Sequence, residues 1–257
     1  MQAPTLPSSA PTGSPSGSFV AYVRAGVLLT VLSTVLLVLV AVEWGPLLTA
    51  DRWIAETLHR SAVESPGWVR ANRVLSDWVW DPWTMRVLLA ATALWLIRRD
   101  ERWLAVWVVA TAALGTALQQ LLKAAVGRER PQWPDPVDSA HFAAFPSGHA
   151  LTATVTAGLV IWLLRSHGVR GRWFHNAVAV AVVSVLGVGC TRLYLGVHWL
   201  SDVVAGWLLG LALVALAAAA FTRWGPGPGP GQPSRPAHPP TPCAPPDSDK
   251  PTLPGGK

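Results

Sequence analysis

An all-α membrane protein, a bundle of six transmembrane helices with a short interfacial helical segment between the first two spans, is the fold class this sequence predicts. Of its 257 residues 51% are hydrophobic and only 13% are charged. The mean hydropathy is +0.36. That is too apolar for an ordinary soluble domain of this length. The apolar residues also fall into runs of about bilayer length, and ionisable groups gather at the ends of those runs. Such groups are costly at membrane depth and are functional hypotheses by default.

The elements follow in order. Residues 1–18 are rich in Pro, Ser and Gly, carry no charge and lack the basic start of a secretory signal, so they read as a disordered leader. Residues 25–42 contain no charge and form the first span. From Glu43 to Trp83 charged residues such as Asp51, Arg52 and Glu56 interleave with Trp53, Ile54 and Leu58, which predicts amphipathic helix along the membrane surface. The run 87–97 is short, and it reaches membrane thickness only if 83–86 are included, with Arg86 snorkelling outward. Spans three to six are expected at 103–122, 146–164, 177–195 and 197–221, the last holding His198 and Asp202 in its first turns. The membrane domain thus covers 19–224 with its core at 85–222, and the Pro- and Gly-rich stretch 225–257 reads as a disordered tail.

Six spans put both termini on one side. The turn after span two carries Arg98, Arg99 and Arg102, and the turn after span four carries Arg165, Arg170 and Arg172. The positive-inside rule makes these turns and the termini cytoplasmic. The formal charge of +6 therefore reflects topology in a multi-pass cell membrane protein, not nucleic-acid binding. Two cysteines, Cys190 and Cys243, make neither a disulfide framework nor a metal cluster.

Three segments fall on the opposite, outward face. Lys123 and Arg130 flank the end of span three, and the Arg fork with the Lys point charge suits one phosphate. Pro146-Ser147-Gly148-His149 opens an uncharged helix whose first amides favour an anion, with Ser147 donating a hydroxyl and Gly148 admitting a phosphate oxygen closely. Thr191-Arg192 ends span five, and His198 and Asp202 follow at i and i+4, a spacing that puts both on one helical face. A carboxylate on one imidazole nitrogen frees the other to attack phosphorus. Taken singly, each segment has a plainer account: snorkelling cations, a helix cap with an interfacial histidine, a structural His-Asp pair. Their convergence on one face favours chemistry.

These segments resemble the three-part signature of the type 2 phosphatidic acid phosphatase superfamily, which includes bacterial lipid phosphate phosphatases and vanadium-dependent haloperoxidases. The matching residues are Lys123 with Arg130-Pro131, Pro146 to His149, and Thr191-Arg192 with His198 and Asp202; Thr191 stands where the family more often has Ser. The resemblance implies a phosphatase core in which His198 is the nucleophile, Asp202 orients it, and His149 is acid and then base. Lys123, Arg130, Ser147, Gly148 and Arg192 would hold the phosphate. It implies no metal or other cofactor, and a lipid phosphate or diphosphate as the membrane substrate: phosphatidic acid, phosphatidylglycerol phosphate or undecaprenyl pyrophosphate. Because His198 must be neutral while His149 is protonated, the pH profile is expected to be bell-shaped. The rival readings are a phosphotransferase using the same intermediate and a non-catalytic lipid or anion transporter.

Overall fold

A computed structural model describes residues 17–225, and all regular structure among them is helical. The helices are α1 (Gly17–Ala41), α2 (Gly45–Glu64), α3 (Pro66–Val74), α4 (Pro82–Arg98), α5 (Arg102–Val126), α6 (Gly148–Ser166), α7 (Gly171–Tyr194) and α8 (Leu200–Trp224). A π-helical turn, Leu75–Val79, continues α3. Local sequence sets several boundaries. Asp81 caps α4 by accepting the Trp83 amide at 2.6 Å, with Pro82 in the first turn. Gly127, at φ 59°, ends α5 in the left-handed conformation.

α1, α5, α6, α7 and α8 are long and apolar enough to cross a membrane. α4 has 17 residues, which at 1.5 Å per residue is about 25 Å, short of a hydrocarbon core of about 30 Å. Val27, Leu28, Val31 and Val35 on α1 are exposed, as are Val180 and Val183 on α7. Faces of that kind need lipid around them. The protein is a multi-pass membrane protein.

Expected and observed elements differ in three places. The leader expected over 1–18 overlaps the start of α1 at Gly17 and Ser18; the rest of it, and the tail after Gly225, lie outside the described residues. The segment 43–83 forms two helices and a π-turn, longer than a short interfacial piece, and α2 buries Asp51, Ala55, His59 and Ala62 along one face. Asp51 and His59 are therefore turned toward protein, while Arg52, Glu56, Arg60 and Glu64 stay exposed. Finally, α8 begins at Leu200, so His198 precedes the helix, and Trp199 is the cap. The histidine reaches Asp202 across the cap, not along a helical face.

α8 is the centre of the bundle, with α1 and α6 packed along it. Its seam with α6 is built on small residues four apart. A Cβ on Gly206 would sit 2.8 Å from the Ser147 carbonyl oxygen and 3.0 Å from the Leu151 nitrogen. One on Gly210 would sit 2.7 Å from Thr154 Cβ. Only glycine permits this approach, as at other close helix crossings in membranes. Leu151, Val155 and Leu159 of α6 complete an apolar core with Leu96 of α4 and Val108 of α5.

The seam has a positional consequence. Because Gly206 faces Ala150 and Gly210 faces Thr154, α6 and α8 run parallel with their N-termini at the same end. The far end is tied where His167 Nε2 meets Glu101 Oε2 at 2.9 Å, bringing together the two Arg-rich turns. The expectation that these turns share one end, opposite the three polar segments, is met.

We predict that Gly206→Ala destabilises the protein in detergent by about 1–3 kcal/mol, because its new methyl meets backbone that cannot swing aside. A lowered thermal midpoint is the expected result. Gly67→Ala, where nothing lies within 4 Å, is the control and should leave the midpoint unchanged.

Candidate active site

The polar end of the bundle is assembled by the loop between α5 and α6, the N-terminus of α6, the turn between α7 and α8, and the π-turn before α4. Asp202 joins two of these directly, since its backbone carbonyl accepts the Ser147 amide at 3.0 Å. Its carboxylate is fully buried. Oδ2 accepts the Trp199 amide at 2.9 Å and lies 3.3 Å from His198 Nδ1.

His198 is 2% exposed, and its other nitrogen, Nε2, lies 3.2 Å from Arg130 Nη1. A guanidinium only donates, so Nε2 must be the acceptor and Nδ1 carries the proton given to Asp202. Burial holds this imidazole well below the ordinary histidine range, and Arg130, Arg192 and Lys123 press the same way. At neutral pH His198 is a neutral base with its lone pair among cations.

Those cations rest on neutral acceptors. Arg130 donates to the carbonyls of Phe142 (2.9 Å), His141 (3.2 Å) and Val197 (2.5 Å). Lys123 donates to the Ala143 carbonyl. Burial lowers the Arg130 pKa to about 10, with Arg192 adding to the effect, which still leaves the guanidinium charged at neutral pH. Arg192 is 4% exposed and gives Nη1 to Ser76 Oγ at 2.8 Å, while its Nε has no partner among the described residues. Ser147 Oγ is likewise buried and unpaired there. A buried unpaired donor costs about 1–3 kcal/mol, and a phosphate oxygen would satisfy both kinds.

His149 lies in the first turn of α6, within electrostatic reach of Arg192, His198, Arg130 and Lys123. The first amides of that helix precede its first internal bond, Leu151 N–H to the Ser147 carbonyl at 3.0 Å. Beside Gly148 the space a Cβ would need is filled by the Gln119 side chain, whose Nε2 would be 2.6 Å away. Gly148 admits Gln119 to the site wall in this structure. Thr191 spends its hydroxyl on the Val188 carbonyl at 2.8 Å. A cavity of about 520 Å³, lined in part by Arg130, Gln132, Phe142 and Ala143, opens beside the site. Among the described residues no cluster of three or more His, Cys, Asp or Glu side chains is arranged to hold a metal.

The expected residues therefore gather at one end, but sequence reasoning missed four that join them. Arg128 Nη1 donates to Asp202 Oδ1 at 2.7 Å, and its Nη2 donates to Asp51 Oδ2 at 2.8 Å. Ser201 lies between them, accepting from Arg128 at 2.6 Å. Ser76 is the partner of Arg192. A signal existed for Asp51: with Ala55, His59 and Ala62 it recurs at helical spacing, a face of small and polar residues suited to close protein contact. Arg128 sits inside the interval between Lys123 and Arg130 but belongs to neither end of it.

Comparison with known proteins places this arrangement. The profile of the PAP2 superfamily matches residues 104–226. Undecaprenyl-diphosphatase of Sulfolobus acidocaldarius is 32% identical over 143 residues, 52% of this chain and 59% of that protein. The chain thus spans less than two thirds of that relative. Decaprenylphosphoryl-5-phosphoribose phosphatase of Mycobacterium tuberculosis is 34% identical over 166 residues, 62% of this chain and 84% of the relative. The crystal structure of a transmembrane PAP2 type phosphatidylglycerolphosphate phosphatase from Bacillus subtilis shares the fold, with a TM-score of 0.69 at 21% identity over 78% of this chain and 97% of that one. Since the matched stretch carries Lys123, Arg130, His149, Arg192, His198 and Asp202, and the mycobacterial relative is matched over 84% of its length, the chain belongs to the PAP2 superfamily.

Proposed function

We infer that the protein hydrolyses a lipid phosphate or diphosphate monoester through a phosphohistidine on His198, without a metal. The observation that carries this reading is the pair of contacts on His198, Nδ1 at 3.3 Å from Asp202 Oδ2 and Nε2 at 3.2 Å from Arg130 Nη1, which assigns the proton to Nδ1 and leaves the lone pair on Nε2.

The steps follow from the groups present. Phosphate oxygens take the donors of Lys123 and Arg130 from their backbone carbonyls, and Arg192 Nε and Ser147 Oγ add theirs. His198 Nε2 attacks phosphorus, the ester P–O bond breaks, and protonated His149 gives its proton to the leaving oxygen. Asp202 stabilises the positive charge that develops on the imidazole. His149 then takes a proton from water as the water attacks phosphorus, the P–N bond breaks, and phosphate leaves with His198 restored. Fixed cations and amides supply the electrostatic stabilisation that a metal supplies elsewhere.

The same reading sets the topology. In it α4 serves as a sixth, short span and α2, α3 and the π-turn lie at the outer interface, a reading supported by the exposed Trp53, Trp68 and Trp78 on them and Trp83 at the start of α4. The Arg-rich turns and both termini are cytoplasmic, so the site opens outward. A headgroup then enters at the bundle mouth while its chains stay in the bilayer. Polyprenyl-linked and glycerophospholipid phosphates are the substrate classes, because relatives are named for both.

The deciding experiment is phosphate release by purified protein from a panel of polyprenyl diphosphate, phosphatidylglycerol phosphate and phosphatidic acid, with and without chelator. His198→Ala should lower turnover at least about a thousandfold and abolish acid-labile, alkali-stable labelling of the protein by ³²P-substrate. Full turnover in that variant would sink the assignment.

A second expectation concerns pH. Attack needs neutral His198, whose pKa lies well below 6.5, so lowering the pH from neutrality through 6.5 does not protonate it. The acid limb of kcat/KM, once the substrate's own phosphate titration is measured separately, should therefore fall below 6.5, and Arg130→Gln should move it upward by removing a cation. An acid limb from the enzyme near or above 6.5 would contradict the assignment of His198.

A further inference from the structure

The face of α2 turned toward the bundle carries two buried ionisable groups, Asp51 and His59. His59 stacks on Trp133 at 4.0 Å between ring centroids, and Trp133 in turn donates to the Gly196 carbonyl at 2.9 Å. That contact braces the turn before His198. Asp51 reaches further. It is 1% exposed and accepts the backbone amide of Ser201 on Oδ1 at 2.9 Å. Its Oδ2 accepts both the Ser201 hydroxyl and Arg128 Nη2.

The Ser201 amide is one of the first-turn donors of α8 that have no acceptor within the helix. Asp51 therefore caps α8 from another helix, while Asp202 caps it from within through the Trp199 amide. Arg128 spans the two carboxylates with the fork of its guanidinium, one arm on each. All of these contacts converge on the first turn of α8, between its cap Trp199 and Asp202.

We propose that Asp51 and Arg128 are positioning residues for the reaction, forming an Asp51–Arg128–Asp202–His198 chain that fixes which oxygen Asp202 offers to the imidazole. The chain rests on the reading of His198 as nucleophile. Relative distances show why the outer carboxylate matters. Asp202 holds Arg128 at 2.7 Å but His198 at 3.3 Å, so the contact that serves chemistry is the looser of the two. An Arg128 left with Asp202 as its sole carboxylate would draw that side chain away from the imidazole. Asp51 takes half of the guanidinium and keeps the contest balanced. Neither Asp51 nor Arg128 needs to touch phosphate for this effect.

The test separates positioning from anchoring of α2. Asp51→Asn is nearly isosteric and removes only the charge. It should lower kcat about 10- to 100-fold, the scale of lost outer partners and small misplacements of reacting groups, and leave KM within about threefold. Single-turnover formation of protein-bound phosphate should slow by the same factor as kcat. Arg128→Lys, a point charge that cannot bridge two carboxylates, should act in the same direction. A lowered thermal midpoint with unchanged kcat in the folded fraction would reduce Asp51 to a structural anchor and overturn the proposal. Should Asp51→Asn fail to fold, Ser201→Ala deletes the hydroxyl between the two charges and should still lower kcat about threefold or more; wild-type kcat there overturns the proposal equally. His198→Ala is measured alongside. If that variant still turns over, the nucleophile reading fails and the chain with it; if it is inactive while Asp51→Asn keeps wild-type kcat, only the chain fails.

Discussion

The organisation of the polar end depends on the buried carboxylate of Asp202. An ionised carboxylate taken out of water carries a penalty of several kcal/mol unless donors surround it. Here Arg128, the Trp199 amide and His198 supply them, and the backbone carbonyl of the same residue takes the Ser147 amide. Each partner imposes a further condition. Ser147 can reach Asp202 only because Gly206 lets α6 approach α8 to within van der Waals contact of its backbone. Arg128, largely but not fully buried, is held in turn by Asp51. The glycine seam and the second aspartate are thus consequences of placing one charge where a histidine can use it.

Two arginines in the same loop, Arg128 and Arg130, are partnered in opposite ways. Arg128 is neutralised by two carboxylates, and a phosphate competing for it would have to displace a full negative charge. Arg130, two residues on, is held by carbonyls. Carbonyl dipoles fix its position but leave its charge available. Lys123 is treated the same way by the Ala143 carbonyl, and Arg192 by the Ser76 hydroxyl. The cations best suited to bind an anion are therefore those that form no direct ion pair among the described residues, and they surround His198.

The long apolar runs were legible because nothing but span length and the absence of charge was needed to place α1, α5, α6, α7 and α8. The site residues were legible as well, since their residue types cluster at span ends, although which atoms meet was not. His198 illustrates the limit: its i, i+4 relation to Asp202 is plain in the sequence, yet the contact depends on Trp199 being a cap, a boundary that a five-residue window does not fix. Gly148 is another case, since the sequence marks a place of close approach but does not show that the Gln119 amide fills the space a Cβ would need. The pairing of Ser76 with Arg192, and of Asp51 with Ser201, was beyond reach for a different reason, because each joins residues more than a hundred apart in sequence through contacts that no local pattern encodes, even though helical spacing marks the face on which Asp51 lies.

α2 was the hardest element to read because a membrane inverts the usual rule. In a soluble protein the apolar face of an amphipathic helix turns inward, and Trp53 would have been assigned to the core. In this chain Trp53 is exposed while Asp51 and His59 are buried against the bundle end. With lipid or its interface as the surroundings, apolar side chains lose little by facing outward, and polar ones gain most by pairing within the protein. The side of α2 that meets the bundle carries Asp51 and His59 among alanines, while Arg52, Glu56, Arg60 and Glu64 stay exposed, and the buried carboxylate is drawn to a cation at the polar end. That cation is Arg128, which is why a helix outside the signature segments ends up one ion pair removed from the Asp202–His198 contact.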